Sequence, residues 1–74
     1  MRVNVVVPGV VMTPATEAAM PDPETQAFTA ATVPNGRIAE AVEIANAILF
    51  LSGDQCTYIT GHTLVVDGGL TVTF

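Results

Sequence analysis

The chain has no lysine, and Arg2 and Arg37 are its only strongly basic residues. Seven acidic residues against these two arginines give a formal net charge of −5. A protein that binds a phosphate backbone needs a basic patch, so we expect neither nucleic acid nor an anionic membrane surface as a partner. The absence of lysine also excludes Schiff-base chemistry and a lysine-assisted proton relay within this chain.

Cysteine and histidine are equally scarce, with Cys56 and His62 as the single examples. One cysteine cannot form an internal disulfide, and one residue of each type cannot supply the usual ligands of a zinc site. The seven carboxylates show no metal-ligand spacing, so we predict no metal site. No signal-peptide pattern and no apolar run of membrane-spanning length is visible, and we therefore predict a reduced, cytoplasmic setting.

The composition is unusually apolar for so short a chain. Half of the 74 residues are hydrophobic and 12% are charged. A single domain of this size buries only roughly 60% of the surface that its unfolded chain exposes. We therefore expect part of the apolar surface to contact another chain, or a further part of the same protein.

The first half of the sequence reads as a strand followed by a long connection. Residues 3–7 carry four valines, which favours a strand buried on both faces, and Pro8-Gly9 ends it in a turn. Four prolines interrupt residues 14–36, which we interpret as a mobile lid of roughly twenty residues. Within it, Asp22-Pro23-Glu24 predicts the start of a short helix over about 23–31 that would carry Phe28 inward.

The second half predicts a helix and another strand. Residues 40–52 carry an apolar stripe at helical spacing, and Gly53 follows as a C-terminal cap. A connector with Tyr58 as a packing anchor leads to a strand at residues 62–67, closed by Gly68-Gly69, and the tail LTVTF alternates like an edge strand. A helix between two apolar strands predicts a right-handed crossover of parallel strands.

These pieces, in this order, resemble the C-terminal third of the short-chain dehydrogenase/reductase family. The resemblance lies in RVNVVVPGVVMTP, which looks like that family's sixth strand, and in GRIAEAVEIANAILFLSGDQCTYITGHTLVVDGG, which looks like its last helix, connector and seventh strand. It implies an α/β fold: a partial Rossmann-like unit of strand, lid with short helix, helix and strand, completed by self-association. Its parts in this single partial domain would be a strand and cofactor-side turn at 1–13, a lid at 14–36, a helix at 40–52 and a last strand at 62–69.

The resemblance also implies a cofactor, NAD or NADP. Pro8, Gly9 and the backbone of Val11 would face the nicotinamide ring and its carboxamide, and Thr13 would offer its hydroxyl to the carboxamide or the pyrophosphate. Glycine lets a backbone approach a ligand closely, and ligands of α/β sheets bind where strands end. The alternative for Thr13 is a threonine that satisfies a turn.

Two family features are missing from this sequence. No G-x-G-x-x-G phosphate loop is present, and the family's catalytic tyrosine with a lysine four positions later has no counterpart. Tyr58 is the only tyrosine; it matches the family's connector tyrosine, and position 62 holds a histidine. We therefore assign no catalytic residue.

Two hypotheses remain for the function. The first is a segment of an NAD(P)-dependent oxidoreductase that is inactive and binds no cofactor alone. The alternative is a stand-alone, self-associating module without enzymatic activity. In both cases we expect a homo-oligomer, formed through the 40–52 helix and the 62–67 strand, because an unpaired strand edge favours association.

Overall fold

Two parallel strands from opposite ends of the chain form the centre of the fold. The structure is a computed structural model, and it describes residues 1–72. Strand β1 (Val5–Pro8) pairs with the last strand (Thr63–Val66) in parallel, in a register that sets Val5 opposite Thr63 and Pro8 opposite Val66. This confirms the predicted parallel pairing, with the last strand one residue shorter at each end than residues 62–67.

A second, very short parallel pair continues from the Pro-Gly turn. Strand β2 (Val11–Met12) pairs with β3 (Ala39–Glu40), which the sequence did not predict. Proline has no backbone N–H to donate, so the extended segment of residues 1–13 is divided into two strands around Pro8-Gly9. The second pair brings the start of the lid beside the residues that follow the lid.

The lid contains two helices, where the sequence predicted one. Helix α2 (Pro23–Ala31) has the predicted bounds, and the Asp22 carboxylate caps it by accepting the N–H of Glu24 at 3.1 Å. Helix α1 (Pro14–Ala19) was not predicted, because six residues are too few to show helical periodicity. The expected inward position of Phe28 is wrong: its side chain is 76% exposed, since no other element covers that face of α2 within the described residues.

Helix α3 (Ala41–Ser52) follows β3 directly in the sequence, and it contacts both β1 and β3. Of its apolar stripe, Leu51 is buried and Ile44 is half-buried, while Ile48 and Leu49 are exposed. Gly53 occupies the C-cap, but in an extended conformation with φ −83° and not in the left-handed one of common glycine caps. Within residues 1–72, the buried apolar side chains are those of Val33, Leu51 and Cys56.

The guanidinium of Arg2 closes the carboxyl end of α3. It donates to the carbonyl oxygen of Leu51 at 2.8 Å and to that of Ile59 at 3.3 Å, and it reaches the carbonyls of Ser52 and Gly53 at 3.4 Å. A cation beside the last carbonyls of a helix stabilises it, because those groups have no partner within the helix and carry a partial negative charge. The segment that leads into β1 is thereby bound to the end of α3.

Two further predictions about the last part of the chain are wrong. Tyr58 does not anchor the connector, because its side chain is fully exposed. Leu70–Val72 forms a short 3-10 helix and not an edge strand; residues 73–74 of that predicted strand lie outside the described residues. The Asp67 carboxylate bends the chain there by accepting the N–H groups of Gly69 at 3.0 Å and Thr71 at 2.9 Å.

We call the last strand, Thr63–Val66, β4. Among the described residues, one face of the sheet that it forms with β1 is uncovered. Val3, Val5 and Val7 point to this face together with Val65, and each is between 40% and 60% exposed. Their alternation with half-buried residues follows from the two-residue period of a strand. In residues 1–72 no helix is both long and apolar enough to span a bilayer.

Candidate functional site

The carboxyl ends of β1 and β4 meet at Gly9 and Asp67. The N–H of Gly9 donates to the carbonyl of Val66 at 3.1 Å, which extends the ladder by one bond beyond the strands. A Cβ atom placed on Gly9 would lie 2.7 Å from the Cβ and 2.9 Å from the Cα of Asp67. Glycine is therefore required at this position by the close approach of the last strand, a reason that differs from the predicted approach of a cofactor.

The end of the lid docks on the turn after β4. Val33, which is 5% exposed, lies against Gly68, and the N–H of Asn35 donates to the Gly68 carbonyl at 3.1 Å. Gly68 has φ +65°, and a Cβ atom there would lie 2.7 Å from the Cγ1 of Val33. The lid is thus fixed at its second end, at the same edge of the sheet where Gly9 lies.

The carboxylate of Asp67 serves this turn. Hydrogen bonds from Thr71, first from its side chain and then from its backbone N–H, hold the pKa of Asp67 below its usual value. Hydrogen bonds to the charged form of a carboxyl favour ionisation. Asp67 is therefore an anion that stabilises the turn after β4.

Thr13 caps the first lid helix and is linked to Val11 through Thr16. The hydroxyl oxygen of Thr13 accepts the N–H of Thr16 at 3.2 Å and lies 3.0 Å from the hydroxyl oxygen of Thr16. The Thr16 hydroxyl donates in turn to the carbonyl of Val11 at 2.8 Å. The local role that the sequence gave as the alternative for Thr13 is thus present in the structure.

Thr16 is the residue of this cluster that the sequence analysis missed. The signal for it was available in Thr13-Pro14-Ala15-Thr16, because a threonine followed by proline is a typical start of a helix. Once that helix is recognised, the residue three positions after the cap faces the cap itself.

The four residues predicted to contact a cofactor lie on one continuous segment. Pro8 ends β1 and is exposed, Gly9 packs against Asp67, Val11 lies half-buried in β2, and Thr13 follows that strand. Two of them, Val11 and Thr13, share hydrogen bonds to Thr16. All four stand at or after the carboxyl end of a strand, where ligands of parallel α/β sheets bind.

Two cavities lie at opposite ends of the β1–β4 sheet. A cavity of about 100 Å³ lies between Val10, the end of the lid and Asp67-Gly68. Pockets for drug-sized ligands occupy roughly 300–1,000 Å³, so this cavity cannot enclose a dinucleotide. The larger hollow, of about 580 Å³, lies at the amino end of β1 beside Arg2 and Ile48, which is the wrong end of a parallel sheet for such a ligand. Neither cavity therefore encloses a dinucleotide at the carboxyl ends of β1 and β4.

Arg37 and Glu43 form an ion pair at this edge of the sheet. The guanidinium of Arg37 donates to both carboxylate oxygens of Glu43, at 2.6 and 2.7 Å, and Glu43 also accepts the N–H of Glu40 at 3.0 Å. The hydrogen bond from Arg37, followed by that from Glu40, lowers the pKa of Glu43 to about 2. Glu43 is therefore ionised at neutral pH and fixes the start of α3.

Comparison with known proteins identifies the family. A family described as enoyl-(acyl carrier protein) reductase matches residues 1–71. Glucose 1-dehydrogenase of Gluconobacter oxydans is 47% identical over 72 residues. A short chain dehydrogenase family protein of Francisella tularensis has a structure that superposes with a TM-score of 0.83 at 32% identity. The chain belongs to the short-chain dehydrogenase/reductase family.

The chain spans under one third of the length of the curated relative. The match to glucose 1-dehydrogenase covers 97% of this chain and 27% of the relative. The Francisella tularensis structure is likewise matched over 97% of this chain and 34% of the other chain. Both relatives therefore contain much more polypeptide than these 74 residues.

Two further solved structures support the Rossmann-like fold. A mutant 4-hydroxyisoleucine dehydrogenase, described in complex with NADH and succinate, superposes with a TM-score of 0.86 at 30% identity, over 99% of this chain and 30% of that one. ElxO, described with NADP bound, gives the same TM-score at 26% identity, over 97% of this chain and 29% of that one. The partial Rossmann-like α/β unit predicted from the sequence is confirmed.

Proposed function

We propose that the chain is the C-terminal part of an NAD(P)-dependent oxidoreductase and forms the nicotinamide side of its cofactor site. The main support is the position of residues 8–13, which lie where the parallel strands β1 and β4 end. The chain that carries them belongs to this family. The descriptions of two structural relatives name NADH and NADP, which supports a dinucleotide as the ligand.

The residues of this segment fit one side of such a cofactor. Pro8, Gly9 and the backbone of Val11 would line the nicotinamide ring and its carboxamide, and Thr13 would hydrogen-bond the cofactor. The hydroxyl of Thr13 retains capacity for one more bond, because a threonine hydroxyl offers one donor and two acceptor sites. When bound, the nicotinamide accepts or donates the hydride; the residues of this chain orient it and cover one of its sides.

The chain alone is not a catalyst in this proposal. It contains no lysine, and its one tyrosine, Tyr58, is fully exposed on the connector after α3. The phosphate loop and the catalytic acid would come from polypeptide outside these 74 residues. By itself the chain would bind no cofactor. The buried free thiol of Cys56 suits the reducing cytoplasm that we propose as its location.

A fusion protein tests this proposal. The 74 residues replace the matching 27% of glucose 1-dehydrogenase from Gluconobacter oxydans, to which they are 47% identical. We expect the fusion to oxidise glucose with NAD or NADP, while the 74-residue chain and the truncated dehydrogenase each show none of this activity. A folded fusion that neither binds nor reduces a nicotinamide dinucleotide would contradict the proposal.

A second candidate function, a self-associating module without enzymatic activity, rests on the exposed apolar side chains. Ile48, Leu49 and Phe50 of α3 are between 49% and 67% exposed, a cluster that an isolated small protein rarely presents to water. We propose a homo-oligomer that covers α3 and the 62–67 strand. This assembly is compatible with the oxidoreductase proposal.

Native mass spectrometry of matched variants tests the assembly. Ile48→Asp places a charge in the proposed interface, whereas Asn46→Asp adds the same charge to an exposed polar position of the same helix. We expect the unmodified chain and Asn46→Asp to be oligomeric and Ile48→Asp to be monomeric or unfolded. An Ile48→Asp variant that stays folded and fully assembled would count against this interface.

A further inference from the structure

Asn35 and Gly36 end the lid and form the single Asn-Gly pair of the chain. The other asparagines, Asn4 and Asn46, precede a valine and an alanine. A backbone nitrogen reaches the carboxamide carbon of the preceding asparagine most easily when it belongs to glycine, which has no side chain in the way. Asn35 and Gly36 are both exposed, and a Cβ atom on Gly36 would meet no atom within 4 Å.

The carboxamide of Asn35 is also the one that the protein holds least. Within residues 1–72, no group hydrogen-bonds this carboxamide. Asn4 differs, because its carboxamide donates to the carbonyl of Ile59 at 3.1 Å and accepts the N–H of His62 at 2.9 Å. Asn46 lies inside α3, where the backbone N–H groups bond to carbonyls of the same helix. Asn35 is therefore the asparagine most open to attack.

In the folded chain, a short hydrogen bond holds the nitrogen that would attack. The N–H of Gly36 donates to the carbonyl oxygen of Val33 at 2.7 Å. The nitrogen attacks after it has lost its proton, and a hydrogen-bonded amide loses its proton when the local structure opens. The reaction at Asn35 therefore requires the turn of residues 33–36 to open first.

We propose that Asn35 is a site of spontaneous deamidation, and that its products release the end of the lid from the turn after β4. The Gly36 nitrogen bonds to the carboxamide carbon of Asn35, and the bond from that carbon to the side-chain nitrogen breaks. The side-chain nitrogen leaves as ammonia with the proton that Gly36 gave up to the solvent. Water then opens the resulting ring at either carbonyl, which gives aspartate or isoaspartate. Each turn of the reaction consumes one water and releases one ammonia, without oxidation or reduction.

Either product adds a negative charge where the end of the lid is docked. The N–H of Asn35 donates to the Gly68 carbonyl at 3.1 Å, and Asn35 lines the cavity of about 100 Å³ together with Glu43 and Asp67. Among the described residues that line this cavity, Arg37 alone is cationic, and both of its terminal nitrogens already donate to Glu43. A carboxylate at position 35 would join two others there, and like charges repel.

Isoaspartate changes the backbone as well. Its peptide link runs through the former side chain, which adds one atom to the chain between position 35 and Gly36. The 2.7 Å bond from Gly36 to Val33 depends on the ordinary spacing and would be lost. Val33, which is 5% exposed, is the buried contact of this end of the lid, so we expect the docking to weaken.

The first measurement follows deamidation of the 74-residue chain in mildly alkaline buffer, by peptide mapping with mass spectrometry. Asn4 and Asn46 are the internal controls, and Asn35→Gln should stay unconverted at position 35. We expect Asn35 to convert before either control, about 2- to 13-fold more slowly in the folded chain than in urea, the range for one hydrogen bond. Conversion of Asn4 or Asn46 as fast as that of Asn35 would overturn the assigned site. Equal rates for Asn35 in urea and in a chain that circular dichroism shows to be folded would overturn the role of the Gly36 hydrogen bond.

The second measurement is amide hydrogen exchange by NMR, which tests the release of the lid. In the purified isoaspartate product and in Asn35→Asp, the protection factor of the position 35 amide should fall about 2- to 13-fold, because its bond to Gly68 is weakened. The amide of Gly9, which bonds to Val66 beyond the sheet ladder, should keep its protection. Unchanged protection at position 35 in either product would overturn the proposed release. Neither measurement involves a cofactor, so a failure here leaves the proposed function standing.

Discussion

Removal of the Arg2 side chain should disrupt the packing of α3 on β1. Arg2 donates its shortest hydrogen bond, of 2.8 Å, to the carbonyl of Leu51, a buried residue in the last turn of α3. A hydrogen bond from a charged donor contributes about 1.5–3 kcal/mol, and a cation at a helix carboxyl end about 0.3–1 kcal/mol more. We therefore expect Arg2→Met to lower the free energy of unfolding by roughly 2–4 kcal/mol.

This loss is comparable to the whole stability of so small a domain. A single core in a chain below about 80 residues rarely supplies more than about 3–5 kcal/mol. With a urea dependence of about 1 kcal/mol per molar, Arg2→Met should shift the unfolding midpoint down by roughly 2–4 M, and much of the protein should be unfolded before urea is added.

Arg37→Met is the matched control, because it removes the same charge from the same chain. Arg37 is exposed and pairs with Glu43 at the surface, where ion pairs contribute little. Both variants are followed by far-UV circular dichroism in urea. If the midpoint of Arg2→Met equals or exceeds that of Arg37→Met, the role of Arg2 as the cap of α3 is refuted.

Two further predictions follow from the same structure. Gly9→Ala should cost about 1–3 kcal/mol, because its Cβ atom would lie 2.7 Å from that of Asp67, whereas Gly53→Ala, with 3.3 Å to its nearest neighbour and an ordinary φ, should cost less; equal urea midpoints would contradict the close approach. The pKa of Glu43 is lowered from 4.5 to about 2, so its contribution to stability is full above pH 4.5 and is lost as the pH falls toward 2. Glu43→Gln should therefore be less stable than the unmodified chain at pH 6 but not at pH 2; an NMR titration with an ordinary pKa for Glu43 would refute this.

Local patterns predicted the elements whose signals lie within a few residues. The valine run of β1, the Asp-Pro-Glu start of α2 and the helical spacing of apolar residues in α3 each reflect requirements of their own segment. The parallel pairing followed from a helix between two apolar strands, since parallel strands need such a crossover. These features needed no knowledge of distant contacts.

The errors concern side chains whose environment is set by distant parts of the molecule. Phe28 and Tyr58 were expected inside because aromatic residues usually pack, yet the described residues offer no surface that covers them. The bonds of Arg2 to the end of α3 join residues from opposite halves of the chain, and no local pattern signals them.

The structure shows hydrogen bonds and contacts within the proposed cofactor segment that the sequence did not predict. We predicted a glycine at position 9 because a cofactor would approach the backbone there. In the structure, the close contact with Asp67 already leaves no room for a side chain. The hydroxyl of Thr13 was expected to bind a cofactor, and in the structure it also caps α1 by accepting the N–H of Thr16. A spacing in sequence shows which residues share an edge of the sheet, but the direction of a hydrogen bond requires the positions of all its partners.

We propose that the chain supplies one side of a nicotinamide site and that further polypeptide completes it. The most direct test measures NADH binding in trans, with the 74-residue chain, the separately produced remainder of the Gluconobacter oxydans glucose dehydrogenase, and a mixture of the two. We expect a fluorescence change on NADH binding for the mixture alone. Binding by the isolated chain as tight as that of the mixture, or a mixture that forms a complex without binding NADH, would contradict it.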